Sequence, residues 1–341
     1  MPLLLDVTDL VEFLQRSESV SGVQRVIAET APLMLAADPT MTAVVLDRAR
    51  GAFVALTTGE TQTLIREGAS ATGGADRGAL ATTASACLVR AASATPMTID
   101  AGTVLVFLGA VWINDALMLA ARDAHAAGAK CVYLLYDLTP VLETGHTAAV
   151  NRLFDRYLHL ITQTGSRVPA ISASSRRDYE TYTRAHGTSA PDGAVTGLPC
   201  GITPDQFDVG ESPWPRPFAL FVGTVESRKN HHLAFQAWQR LIEAHGADAI
   251  PDLVCVGRLG WNAETFLDEY VASGGLGGKV SVLSSSLSDT ELARFYAHAD
   301  FTVYPSRYEG WGLPVSESLA FGRLPVVAYN SSLPEAGGEL A

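Results

Sequence analysis

Lysine is nearly missing from this sequence. Only Lys130, Lys229 and Lys279 occur, which leaves 24 − 3 = 21 arginines as the other cations. Cysteine is almost as scarce. Cys87, Cys131, Cys200 and Cys255 show no C-x-x-C spacing, and Cys131 and Cys255 sit in apolar runs. That pattern excludes a zinc ribbon or disulfide framework and reads as reduced, cytosolic thiols. Long apolar runs are also lacking: the longest, Val104 to Ile113, stops at Asn114 and Asp115 and is too short for a membrane helix. A charged leader with a cleavage site is not seen, so no signal peptide is expected and the expected location is cytoplasmic. A net charge of −12 excludes general nucleic-acid binding. No D-x-D triad occurs and the histidines show no ligand spacing, so no catalytic metal and no cofactor are expected. A G-x-G-x-x-G after a predicted strand is missing too, which argues against an NAD dehydrogenase.

One local excess of positive charge stands out. Arg152, Arg156, Arg167, Arg176, Arg177 and Arg184 face only Asp155, Asp178 and Glu180, a balance of 6 − 3 = +3. It reads first as a solvated helix face, and second as a peripheral contact for an anionic membrane or a lipid-linked acceptor.

What is present is an alternation of apolar strands and amphipathic helices. With 341 residues, 48% apolar content and 30 glycines, the chain reads as α/β with two domains. Leu3 to Leu5 reads as the first strand. Ser19-Val-Ser-Gly-Val23 reads as a turn opening a helix to about Leu35. Thr42 to Leu46 and Ala52 to Leu56 read as a hairpin, and 57–101 as weak helix and loop. Regular alternation then predicts strands at Val104–Leu108, Cys131–Tyr136 and Ala170–Ser172. Three prolines in Ser212-Pro-Trp-Pro-Arg-Pro217 mark a stiff linker between domains 1–210 and 211–341. Beyond it come strands at Ala219–Val222, Leu253–Val256, Val280–Leu283, Phe301–Tyr304 and Pro325–Tyr329.

The densest chemistry lies in Tyr304-Pro-Ser-Arg-Tyr-Glu-Gly-Trp-Gly-Leu-Pro-Val-Ser-Glu317, a loop between a strand and a helix. Gly310 and Gly312 let backbone approach a ligand, and the following helix offers unpaired N–H groups to an anion. Glu309 and Glu317 can accept from paired hydroxyls of a sugar or ribose. Taken singly, Glu317 reads as a dipole complement and Glu309 as a solvated loop charge. The spacing E-G-W-G-L-P-x-x-E between two strands favours a joint site. Arg228 and Lys229 follow the first strand of the second domain, the topological place for phosphate.

These residues resemble the E-x7-E signature of retaining glycosyltransferases of the GT-B fold, family 4. Glu309 and Glu317 match it, as do Gly310, Trp311, Gly312 and Leu313 between them. Phe221-Val-Gly-Thr-Val-Glu-Ser-Arg-Lys-Asn230 resembles the family's phosphate-binding strand and turn, with Gly223 as the strand glycine. Thr224 stands where the family often has an arginine. Ser332-Leu-Pro-Glu335 resembles a later S-x-P-E element, and Leu198 to Phe207 the hinge. Tyr136-Asp-Leu-Thr-Pro140 resembles the family's H-D-x-x-P segment with tyrosine in place of histidine. Asp137 is thereby a site candidate, with an Asx turn as the plain alternative.

The resemblance implies two Rossmann-like domains facing a cleft, and transfer of a sugar from a nucleotide diphosphate without metal. It assigns Glu317 to the ribose, Glu309 to the donor sugar, and Lys229 and Arg228 to the diphosphate. Gly22 falls in the loop that closes over that diphosphate. The motif forms look most like mannosyl- or rhamnosyltransferases of surface polysaccharide assembly. The partners implied are a nucleotide-sugar donor and a glycan or lipid-linked acceptor. The alternatives are a GT-B sugar-nucleotide epimerase and a non-catalytic sugar-nucleotide-binding partner protein. Family members continue past the S-x-P-E element, so a truncated C-terminal domain is expected.

Overall fold

The computed structural model describes residues 1–16, 22–67, 77–143, 145–285 and 287–340. The chain falls into two compact units, Met1–Val141 with His146–Pro199, and Cys200–Ala341 with Leu142–Gly145.

The N-terminal unit is built on six strands: β1 (Leu3–Asp6), β2 (Met41–Asp47), β3 (Ala52–Ala55), β4 (Val104–Phe107), β5 (Lys130–Tyr133) and β6 (Gly165–Arg167). Their order is β3-β2-β1-β4-β5-β6, parallel except for the β2–β3 hairpin. From β1 the chain builds outward in one direction to β2 and β3, then returns to the other side for β4, β5 and β6. The gap between the carboxyl ends of β1 and β4 is thus a topological switch point, where such sheets hold ligands. One face packs Leu105, Phe107, Cys131 and Tyr133 into a core, with Phe107 and Tyr133 stacked at 4.9 Å.

Local structure adds one helix, defines another within the stretch read as weak helix and loop, and moves one strand. Helix Thr8–Leu14, to which sequence reading assigns no element, directly follows β1. The Ala- and Thr-rich stretch forms a 15-residue helix, Arg77–Ala91. The expected strand Ala170–Ser172 is replaced by Gly165–Arg167, with Ala170 making single bridges to Leu135 and Val195. Of the turn expected at Ser19–Val23, residues 19–21 lie outside the described residues.

The C-terminal unit has five parallel strands: β7 (Phe218–Val222), β8 (Asp252–Val256), β9 (Val280–Leu283), β10 (Phe301–Tyr304) and β11 (Pro325–Val327), in the order β11-β10-β7-β8-β9. Its strands are apolar on both sides. Ala219 and Phe221 enter one core, Phe218 and Leu220 the other, as a sheet covered on both faces requires. The proline-rich linker is tied to this sheet. Buried Asp252 accepts from Trp214 Nε1 at 2.8 Å and Arg216 Nε at 2.7 Å, and pairs with Lys279 at 3.2 Å. The switch point here lies between β7 and β10. Both units are therefore Rossmann-like α/β sheets.

Candidate functional site

The loops after β7 and β10 meet at the switch point of the C-terminal unit. After β7 the backbone turns tightly: a Cβ on Gly257 would sit 2.0 Å from the Gly223 carbonyl oxygen, and the stem of Lys229 packs 3.5 Å from where a Gly223 Cβ would be. A 3-10 turn, Ser227–Lys229, then places both cations, and Asn230 adopts the left-handed conformation (φ 62°) that starts helix His231–His245. The Asn230 side chain donates to the Pro305 carbonyl (3.1 Å), and the Arg307 amide donates to the Arg228 carbonyl (2.8 Å), which locks the two loops together.

Glu309 lies between the two cations. Lys229 Nζ donates to its Oε1 at 2.6 Å and Arg228 Nη1 to its Oε2 at 2.8 Å. Arg228 also donates to the Tyr308 carbonyl at 2.8 Å and pairs with buried Glu226 at 2.6 Å. Burial alone would raise the Glu309 carboxyl, but the Lys229 and Arg228 charges overcome it and hold it at about 2. Glu309 is therefore an anion at neutral pH. It acts as an acceptor and a source of field, not as a proton donor.

The Glu309 loop is fastened from behind. Ser331 Oγ accepts from the Glu309 amide (3.0 Å), and Ser332 Oγ donates to the carbonyls of Glu309 (2.8 Å) and Trp311 (2.9 Å). Gly312, at φ 103°, caps helix Leu313–Ala320, and a Cβ there would press to 3.0 Å from Leu333 Cδ2. Pro314, which has no N–H, stands in that helix's first turn, and the Val315 amide donates to the Gly312 carbonyl at 2.9 Å. Trp311 is half-buried, with Nε1 donating to Ser316 at 3.2 Å, and Gly310 is buried. Glu317 is 6% exposed on this helix and accepts from the Tyr296 hydroxyl at 2.8 Å. Beside the cations His231 stacks flat on Phe221 (3.9 Å). Burial, then the Lys229 charge, lower its imidazole to about 3, so it is neutral.

Arg228, Lys229, Glu309, Gly310, Trp311, Gly312, Leu313, Glu317 and Gly223 thus belong to one strand-end cluster. Gly22 and Asp137 belong to the N-terminal unit. Gly22, at φ 58°, opens helix Val23–Ala37. Asp137 Oδ1 accepts from the Thr139 amide at 2.9 Å, the hydrogen bond of an Asx turn. Tyr136, at the position of the resembled histidine, is buried and spends its hydroxyl on the Leu108 carbonyl at 2.6 Å.

The switch point of the N-terminal unit carries acids that sequence reading did not single out. Asp9 accepts from the Ala110 amide (2.9 Å) and from Gln24 Nε2 (3.1 Å to each oxygen). Burial raises its carboxyl against those hydrogen bonds. Asp6 is 1% exposed and bonded to Thr8, and burial pushes it up to about 7. The available signal was the pair of segments Asp6-Val-Thr-Asp9 and Val23-Gln24-Arg25, which the Asp9–Gln24 contact joins.

Residues 203–336 match the family described as Glycosyl transferases group 1. Over 123 residues the chain is 39% identical to O-antigen chain mannosyltransferase B of Escherichia coli, covering 36% of this chain and 31% of that one. Over 222 residues it is 27% identical to the serotype-specific mannosyltransferase WbdA of Escherichia coli, covering 60% of this chain and 26% of that one. The matches thus span about a third or less of these curated relatives. Among solved structures, Anabaena HepE in complex with UDP and glucose aligns with a TM-score of 0.58 at 14% identity, over 98% of this chain and 82% of that one. The α,α-trehalose 6-phosphate synthase of Burkholderia multivorans aligns at 0.56 and 12%, over 98% and 85%. The fold is the GT-B type.

The four cysteines are free thiols. Among the described residues no helix is long and apolar enough to cross a membrane. Within the arginine-rich stretch, Arg156 pairs with Asp115, Arg176 with Glu180 and Arg167 with Asp192.

Proposed function

We propose that the chain carries out retaining transfer of a sugar from a nucleotide diphosphate, with mannose or a rhamnose-type sugar from a GDP-linked donor as the first candidate. The acceptor would be a glycan or lipid-linked saccharide of surface polysaccharide. The observation that carries this reading is the Lys229–Glu309–Arg228 cluster at the β7–β10 switch point, beside the N-terminus of helix Leu313–Ala320. Its likeness to mannosyltransferase relatives supports the choice of sugar.

Lys229 has three donors and gives one to Glu309, so two remain for the oxygens of a leaving diphosphate. Together with Arg228 and the helix N-terminus it would stabilise charge developing on that group, the work a divalent cation performs elsewhere. No metal is therefore assigned to the transfer step. Glu309, ionised, would accept from donor-sugar hydroxyls and favour an oxocarbenium-like transition state. Glu317 would accept from the ribose hydroxyls, with Tyr296 fixing its rotamer. The protein would act at the inner face of the membrane through its acceptor.

The test is incubation with GDP-mannose and a mannose-ended oligosaccharide. Release of GDP with an α-linked, lengthened product supports the proposal. Tight GDP binding without transfer to any saccharide or lipid-linked acceptor would leave a binding protein and remove the enzymatic reading.

A further inference from the structure

Asp155 and His159 stand four residues apart on helix Ala148–Thr164, and so share a face. His186 caps the C-terminus of the next helix, Ala173–Ala185. One ligand atom from each of the three lies within 4.8 Å of the others. His159 Nε2 is 3.6 Å from Asp155 Oδ2, and the two imidazoles meet edge to face with centroids 5.4 Å apart. All three side chains reach solvent.

A second feature organises this trio. The Tyr182 hydroxyl donates to Asp155 Oδ1, leaving Oδ2 toward His159. The Tyr182 carbonyl faces His186 Nδ1 at 2.8 Å. A carbonyl only accepts, so Nδ1 carries the proton and Nε2 keeps the lone pair. One tyrosine thus orients two of the three groups, the role outer-shell partners play around metal ligands.

We propose that Asp155, His159 and His186 bind one divalent transition-metal ion of the zinc type, through two imidazole nitrogens and one carboxylate oxygen. Ligand atoms around tetrahedral zinc stand about 3.3 Å apart, so the side chains close on the ion by about 1 Å. A fourth position stays open to water. Nitrogen donors favour zinc, copper, nickel or cobalt over magnesium and calcium.

The site is structural. Helix Ala148–Thr164 runs straight into β6, so its second half lies beside the amino ends of the strands, and helix Ala173–Ala185 ends on the same side. The β1–β4 switch point is at the carboxyl ends. The ion would staple the two helices and stabilise the native state by mass action.

The test titrates chelator-stripped protein with zinc, and with cobalt for its visible spectrum. One ion bound more tightly than about 100 µM is expected, with a four- or five-coordinate cobalt band and a rise in melting temperature. His159→Gln and His186→Gln should each weaken binding about tenfold or more, while metal-free melting stays near wild type. Tyr182→Phe should weaken it by about threefold through orientation alone. Zinc binding weaker than about 100 µM, or binding that both histidine variants retain unchanged, would overturn the proposal.

Discussion

The two sheets share a topology but furnish their switch points in opposite ways. Between β7 and β10, Glu309 is buried against Lys229 and Arg228 and stays ionised. Between β1 and β4, Asp6 and Asp9 are buried against a hydroxyl, an amide and a backbone N–H, and burial raises both. On the proposed function the first arrangement would turn the remaining Lys229 donors to an anionic ligand, and the second would offer acceptors to hydroxyls. Topology would then decide where a ligand sits, and the partner of the buried acid which ligand it is.

The sharpest way to break this contrast is Lys229→Ala. Turnover should fall on the order of a hundredfold or more, because a charge serving the leaving group is lost. Glu317→Ala should act next most strongly, raising the donor KM by about tenfold with turnover within about threefold, since ribose contacts are alike in ground and transition states. Steady-state kinetics on both decides. Equal, small effects would remove the cationic site from the account.

A further effect lies in the pH dependence of unfolding, where the two switch points carry opposite signs. Glu309 is held below its ordinary value, so its contribution is present above about 4.5 and is lost as pH falls toward about 2. Glu309→Gln should be less stable at pH 7, and the difference should fade in acid. Asp6 is raised to about 7, so folding is penalised as pH climbs from about 4 through 7. Asp6→Asn should match wild type near pH 4 and exceed it at pH 8 by roughly 4 kcal/mol at most. Urea melts across pH would show both, and parallel slopes would contradict the contrast. The smallest expected effect is none: transfer should persist in EDTA, even where the chelator lowers the melting temperature. Loss of turnover restored by manganese would contradict that.

The C-terminal unit was the more legible in sequence. Its strands are buried on both faces, so Ala219–Val222 and Leu253–Val256 read as unbroken apolar runs ending at Gly223 and Gly257. Glu309 and Lys229 were readable because short spacing on strand-ending loops is a local property. Ser332 was readable as part of the S-x-P-E-like element, but its bonds to the Glu309 loop, like that of Ser331, span more than twenty residues and were not. Helix Thr8–Leu14 is seven residues, too short to show a period. Helix Arg77–Ala91 is rich in alanine, threonine and serine, which blurs its apolar face. The Asp155–His159–His186 trio joins residues of two helices, a juxtaposition that spacing alone does not display.

The central claim is that Lys229 reads the diphosphate, and calorimetry with GDP and GMP tests it most directly. The wild-type chain should bind GDP about tenfold or more tightly than GMP, and Lys229→Met should level the two by weakening GDP alone. An undiminished preference for GDP in Lys229→Met would contradict the account.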